Sequence, residues 1–381
     1  MSNSGSPTVG ITGLVIKDNV MFGRQRGMFI SYTNGADIYG NTISEISQAS
    51  QGSAAITLQT NFGTAGTFNI YNNNITALTT LNATAGASNG VIGIDNQCVT
   101  PKIVNIYNNT ISGMGAGATA TTNSKIYAIR VTSTSTCNVY HNTIYMPEMT
   151  DMTVFGTSYI AGIVFASAAS TEASPAAAAV TTIKNNIIIS DETSMKTWGI
   201  RRVGATGTFN SDYNIIYRAN TTNGFVGYYN ATDATDLAAW QTATSQDPNS
   251  KSIAVNFADV AIGDLRLTGA SIQDDNLSVP SITEVATDMF GTFRGTIRTY
   301  AGAHESTAFV ITSINQSEQT ARIMRTSTGV EVVLDGQATI ELYNINGMLI
   351  EKTNANGTYT RDLNNGVYII RINGKATKFI K

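Results

Sequence analysis

One motif recurs along the first half of the chain and limits what it can fold into: aliphatic-x-x-Asn-x-apolar. It is read at IKDNVM (Ile16 to Met21), IYGNTI (Ile38 to Ile43), IYNNNI (Ile70 to Ile75), IYNNTI (Ile106 to Ile111), VYHNTI (Val139 to Ile144) and IKNNII (Ile183 to Ile188). The anchoring residues are Asn19, Asn41, Asn73, Asn109, Asn142 and Asn186, at intervals of 22, 32, 36, 33 and 44 residues, and SDYNIIY (Ser211 to Tyr217) reads as a degraded seventh copy. Between copies lies a second apolar strand, often opening with a small residue, as at Gly27, Ala55, Gly93, Ala128, Gly162 and Gly199. A period of roughly 20–45 residues with short strands and Gly/Asn turns marks a solenoid. A two-strand unit is too small to bury a core alone and must stack on its neighbours.

Asn is normally depleted in strands, and stacking accounts for its presence. Equivalent strands in successive coils lie about 4.8 Å apart, so a turn Asn in each coil sits over the next and its amide bonds along the stack. Asn also tolerates the left-handed backbone of a sharp corner. Asn41, Asn73, Asn109, Asn142 and Asn186 are therefore assigned to a structural ladder.

Composition agrees. Charged residues make up 13% of the chain against roughly 25% in an ordinary domain, and 34 glycines accompany 6 prolines. This suits turn-rich β-structure and argues against a helical enzyme. The net charge of −3 and the lack of a Lys/Arg run argue against nucleic-acid or anionic-membrane partners. No apolar run approaches the roughly 18–20 residues of a membrane span. Cys98 and Cys137 either pair or stay free, and free thiols are favoured. The start, MSNSGSPTVGITG, has no secretion signal and nothing to cap a first coil, which predicts a missing upstream portion. The chain is expected to be monomeric.

The pattern divides the chain into coils over 1–230, a closing segment over 231–305, a linker over 306–320 and a small antiparallel β-sandwich over 321–381. The closing segment is expected to hold one short helix at Asp236 to Thr244 anchored by Trp240, and to hide the open strand edge of the last coil. Asp288 and Arg294 within it are read as a buried structural ion pair. In the sandwich, Asn346-Gly347, Asn356-Gly357 and Asn365-Gly366 mark turns between alternating strands.

Three resemblances follow. The alternation of GI-type strands with N..I.NN.I strands over roughly residues 10–230 resembles the right-handed parallel β-helix family of pectate-lyase-like proteins. Residues 231–305 resemble the closing segment of secreted bacterial β-helix proteins at Leu265, Leu267, Ser271, Asp288, Gly291, Arg294, Gly302, Ala303 and Glu305, with His304 standing where that family usually has Asp. IELYNINGMLI, LNNGVYIIRI and KATKFIK resemble the C-terminal sorting domain of the type IX secretion system of Bacteroidetes, including the basic Lys375, Lys378 and Lys381. That third resemblance implies a secreted or surface-attached protein whose partners include the type IX translocon and its processing machinery.

β-Helices often bind or cleave polysaccharides along one face, so each chemistry sets a requirement. A lyase needs a Lys or Arg base beside acidic Ca²⁺ ligands, and Ca²⁺ takes about six to eight oxygens. A hydrolase needs carboxylates about 5–9 Å apart. Setting the GI strands in register gives the outward column Thr57, Asp95, Arg130, Val164 and Arg201, with Arg202 alongside. Glu148 with Asp151, and Asp191 with Glu192, are loop acids that would cluster only if their loops fold over the face. Asp95, Arg130, Arg201, Glu148, Asp151, Asp191 and Glu192 are weak catalytic candidates, more readily read as solvated surface. No metal spacing or other cofactor motif occurs, and Ca²⁺ enters only with a lyase. His141, at a corner position, is expected to be exposed and inert. Tyr39, Tyr71, Tyr107 and Tyr140 recur at one register next to inward aliphatics, so they face outward. There they form either a sugar platform or a shielding ladder. The favoured reading is a binding, adhesion or scaffold module for glycans. The alternatives are a carbohydrate-active enzyme, as lyase or glycosidase, and a plain structural stalk.

Overall fold

The computed structural model describes residues 10–48, 53–59, 64–80, 90–99, 101–116, 125–132, 134–149, 158–166, 175–306, 321–334 and 336–381. The chain divides into two compact units, Met1–Phe309 and Val310–Lys381. Of the expected linker, 306–320, residues 307–320 lie outside the described residues.

In the first unit three parallel sheets run coil upon coil, the arrangement of a parallel β-helix. The first sheet holds Leu14–Lys17, Ala36–Tyr39, Gly66–Tyr71, Lys102–Tyr107, Thr136–Tyr140, Val180–Lys184 and Thr208–Asp212. The second follows each Asn corner, with Val20–Gly23 against Thr42–Gln48, then Asn74–Ile75, Thr110–Ile111, Thr143–Met146, Ile187–Ser190 and Ile215–Arg218. The third carries the glycine-rich strands, Arg26–Ile30, Ser53–Leu58, Val91–Asn96, Lys125–Val131, Tyr159–Phe165, Lys196–Arg202 and Gly224–Tyr229. Each coil thus has three main strands, one more than the motif alone suggests, and the short strands Thr79–Thr80 and Gly115–Ala116 add a fourth in two coils.

The reason is the corner. The residue just before each ladder Asn takes the left-handed backbone: Asp18, Gly40, Asn72, Asn108, His141, Asn185 and Tyr213 have φ between 52° and 65°. This splits every motif copy into two strands and moves the left-handed role off the ladder Asn itself. The ladder Asn instead turns inward and is fully buried from Asn41 onward. Its amide and backbone N–H both donate to the Oδ1 of the next rung. The chain of bonds runs Asn19→Asn41→Asn73→Asn109→Asn142→Asn186→Asn214 at 2.9–3.1 Å. Aliphatic rows flank it in register, Ile38, Ile70, Ile106, Val139 and Ile183 among them, all fully buried.

The small residues of the third sheet have a steric cause. A Cβ on Gly93 would lie 2.5 Å from the Ala128 carbonyl oxygen, and one on Gly199 would lie 2.3 Å from Ile216 Cγ2. The chain dips toward the core there, at a break in the strand pairing. Cys98 and Cys137 are free and buried, and burial pushes the Cys137 thiol up to about 12.

The last coil is closed by residues 232–251. Thr232–Ala234 pairs antiparallel with the last third-sheet strand, and Lys251 bridges to Ile215. Helix α1, Leu237–Thr244, is N-capped by Asp236. It drives Trp240 onto the end of the core, where the ring is fully buried against Phe209 and over Gly227. The indole donates to Asp247 Oδ2 (2.7 Å), while Asp247 Oδ1 and Ser250 Oγ accept the final Asn214 donors.

Residues 252–305 do something else. They do not cover the last coil but run back along the second sheet as a strap. Leu265, Leu267, Leu277, Val279 and Tyr300 pack on Tyr145, Ile187, Ile189 and Ile215 in a separate buried cluster.

The second unit has a three-stranded antiparallel sheet (Ala321–Arg325, Gly329–Leu334, Thr358–Asp362) and a four-stranded one (Ala338–Asn344, Leu349–Ala355, Val367–Ile372, Lys375–Ile380). They share one apolar cluster that includes Val332, Leu342, Tyr359 and Ile370. Gly347 and Gly357 take φ of 78° and 83° at two of the expected turns.

Candidate functional site

The corner column, one residue ahead of the ladder, points outward toward the strap. At three successive corners the strap grips it. Asn108 Nδ2 donates to the Thr287 carbonyl (2.7 Å) and its Oδ1 accepts from Arg294 Nη2 (2.7 Å). Asn185 Nδ2 donates to the Pro280 carbonyl (2.8 Å) and lies 3.0 Å from His141 Nε2. His141 is fully buried, not exposed as expected, because the strap lies over it. Desolvation, with Arg294 close by, holds its pKa well below the usual histidine value.

Arg294 is the centre of this grip. Its ion-pair partner is Glu305 (3.2 Å), not Asp288, and it also donates to the Tyr300 and Gly302 carbonyls. Burial brings its pKa down to about 10, offset by Glu305 and then Asp288. Asp288 organises the loop instead, accepting from the N–H groups of Phe290, Thr292 and Glu305 at 2.8–2.9 Å.

Further toward the N-terminal coils the strap lifts away and leaves a cleft of about 500 Å³. Its solenoid wall is Gly40, Thr42, Asn72, Asn74 and Thr110, and its strap wall is Ile262 to Arg266 with Met289 and Phe290. Asn72 occupies the same corner position as Asn108. Among the described residues nothing partners its solvent-shielded Oδ1. Thr110 Oγ1 donates to Asn74 Oδ1 (3.0 Å). Asp264 and Arg266 form a forked pair (2.6–3.1 Å), and those hydrogen bonds hold the Asp264 carboxyl below its ordinary value. Phe290 and Ile262 stand exposed at 57% and 72% on the strap side. Gly40 keeps the cleft open above Asp18, since a Cβ there would meet Asp18 Oδ1 at 2.5 Å.

The expected candidates lie elsewhere. Tyr39, Tyr71 and Tyr107 stack face to face, centroids 4.7 and 4.9 Å apart with planes tilted by 12° and 3°. Both faces of Tyr71 and one face each of Tyr39 and Tyr107 are therefore taken by a neighbouring ring. This is a ladder geometry, unsuited to a platform that must offer ring faces to sugars. Tyr140 is half-buried beside it, and burial raises the Tyr71, Tyr107 and Tyr140 phenols.

The column Thr57, Asp95, Arg130, Val164, Arg201 does lie in register on the third sheet and continues to Tyr228. Asp95 and Arg130 are a buried two-pronged ion pair at 2.8–2.9 Å. The Arg201 guanidinium sits 4.4 Å from the Tyr228 ring, 4.9 Å from Tyr159 and 5.2 Å from Trp198. Arg202 donates to the Ala205 and Gly207 carbonyls.

The loop acids are also engaged. Glu192 is buried, contrary to a surface role, and accepts from the N–H groups of Met149, Ser194 and Met195 at 2.7–2.9 Å. Asp191 accepts from the Tyr145 hydroxyl (2.7 Å) and Glu148 from Thr193 (2.7 Å). Asp151 lies outside the described residues. No group of three or more His, Cys, Asp or Glu placed to hold a metal occurs among the described residues, and no described helix is long and apolar enough to cross a membrane.

Sequence reasoning missed Asn72, Asn74, Thr42 and Phe290 as a set. Doubled asparagines at 72–73 and 108–109 were the available signal, since the ladder needs only one of each pair. Comparison with family models, with known proteins and with solved structures returns no match.

Proposed function

We propose that this protein is a secreted or surface-attached β-helix of the right-handed, pectate-lyase-like type that binds glycans in the cleft between the second-sheet corner and the strap. The observation that carries this reading is the cleft's lining. Amides of Asn72 and Asn74, hydroxyls of Thr42 and Thr110, and the Asp264–Arg266 pair offer donors and acceptors beside the exposed Phe290 ring. A concave site of about 300–1,000 Å³ with a few convergent polar groups and an apolar wall is of ligand size, and this mixture suits sugar hydroxyls and C–H faces. Among the described lining residues Asp264 is the single carboxylate, and it is tied to Arg266. That supports binding over hydrolysis, which uses two carboxylates.

Export belongs to the second unit in this reading. Its resemblance to type IX sorting domains, its separateness as a compact unit and Lys375, Lys378 and Lys381 near the terminus support an address for that translocon.

A glycan array followed by titration calorimetry, run beside polysaccharide depolymerisation assays, tests the first part. Saturable binding weakened at least tenfold by Phe290→Ala and Asn72→Gly, with no change in melting temperature, is expected. Binding indifferent to both variants, or product release from a polymer, overturns it. Appending residues 321–381 to a reporter in a host with a type IX translocon tests the second. The reporter is expected in the medium or on the surface, and cellular retention overturns the assignment.

A further inference from the structure

The cleft's strap wall is built from two pieces far apart in sequence, Ile262 to Arg266 and Met289 with Phe290. One side chain touches both. The N–H of Leu267, the residue that follows the first piece, donates to His304 Nδ1 at 2.9 Å. The same imidazole meets the Phe290 ring edge to face, with centroids 5.8 Å apart and planes at 84°. The chain around it is pinned to the second piece. Met289 N–H donates to the Ala303 carbonyl (3.0 Å) and Glu305 N–H to Asp288 Oδ2 (2.9 Å). His304, half-buried, is thus held between the two pieces.

A backbone N–H donates only to a ring nitrogen that carries a lone pair. The Leu267 bond therefore fixes the neutral tautomer with its proton on Nε2. A proton added at Nδ1 sets donor against donor, and the bond is lost. Charged groups face the ring from both pieces, Asp264 and Arg266 from one, Asp288 and Arg294 from the loop that carries the other. On its own segment, Glu305 is turned to Arg294 (3.2 Å). Asp264 is tied to Arg266 and Asp288 to three backbone N–H groups, so neither carboxylate is at hand to receive an imidazolium. Desolvation is the largest influence on His304 and lowers its pKa; Asp288 opposes that, while Arg266 and Arg294 add to it.

We infer that His304 is the positioning residue that holds the cleft in its binding shape, and that its protonation at Nδ1 frees the Leu267 strand from the Phe290 loop and weakens glycan binding in acid. The inference rests on the cleft being the binding site proposed above. Because the group is lowered in the closed form, closure is complete above the ordinary histidine value of about 6.5 and is lost progressively below it.

The test has two arms, both on the full chain. The chain has two histidines, His141 and His304, so ring-nitrogen NMR follows each, with His141→Asn assigning the signals. His304 should show the Nε2–H tautomer at neutral pH, and its titration should shift the Leu267 amide. An Nδ1–H tautomer, or a Leu267 amide that ignores the titration, overturns the inference. In the second arm, affinity for the best-bound glycan of the array should fall about fivefold from about pH 7.5 to about pH 5. His304→Asn, whose Oδ1 accepts from Leu267 and does not titrate, should flatten that profile. A profile left steep by His304→Asn overturns the inference. If no glycan binds at any pH, the proposed function fails, while the NMR titration still upholds or overturns the hold of His304 on the cleft wall.

Discussion

Asn108 and Asn109 are neighbours in sequence with opposite duties. Asn109 turns into the wall of the stack and repeats what Asn142 does, bond for bond. Asn108 turns out and meets whatever lies there, as do its counterparts Gly40, Asn72, His141, Asn185 and Tyr213. The inner column is uniform because each rung must match the next at one spacing. The outer column shares only a left-handed backbone, so its chemistry is free to vary. A repeat protein can hold its architecture in one residue and vary function in the residue beside it.

The sharpest way to break this comparison is at the inner column. Asn109→Ala removes an acceptor for the Asn73 N–H and amide, and donors to Asn142, Ile70 and Tyr107. Buried groups left unpaired cost about 1–3 kcal/mol each, so urea denaturation should show a loss of about 3–5 kcal/mol. Asn108→Gly keeps the corner (φ 54°) but removes one of the two acceptors of Arg294 Nη2 and the side-chain donor to the Thr287 carbonyl. The same measurement should give about 1–3 kcal/mol. At the cleft, Asn72→Gly has no such bonds to lose, and stability should stay within about 0.5 kcal/mol while glycan binding falls. If Asn72→Gly costs as much as Asn108→Gly, the outer column is structural throughout.

His141 sharpens the contrast by pH. Its folded-state pKa is depressed, so the unfolded chain takes up the proton first as pH falls. Stability is intact above the ordinary histidine value of about 6.5 and is lost progressively below it. Thermal melts from about pH 7.5 to about pH 5 should show this slope, and His141→Asn, which suits the left-handed corner, should flatten it. His304 is half-buried and its pKa is likewise lowered by desolvation, so a residual slope of the same sign should remain.

The stack was legible in the sequence because its cause is local and periodic. An aliphatic, an Asn three residues on and an apolar residue two further define each corner, and even the degraded copy at Asn214 carries a rung. The helix at Trp240 was readable with its aromatic anchor. The strap was not. Its grip on Asn108, Thr143 and Asn185 joins residues 179, 160 and 95 positions apart, and no local pattern encodes such pairs. The burial of His141 follows from the strap and was missed with it. Tyr39, Tyr71 and Tyr107 were placed on the correct side, yet their use depends on ring orientation, which a period does not state. Glu192 looked like a loop acid because the N–H groups that surround it carry no sequence signature.

The strap has one consequence for how the molecule comes apart. A plain stack of coils is held only by neighbour contacts and unravels rung by rung from an end. Here the last residues of the unit reach back to Thr143 and Asn108, across several rungs at once. Fraying is thereby converted into a collective event, and assembly of the unit becomes final only when its last-synthesised segment has fastened coils made before it.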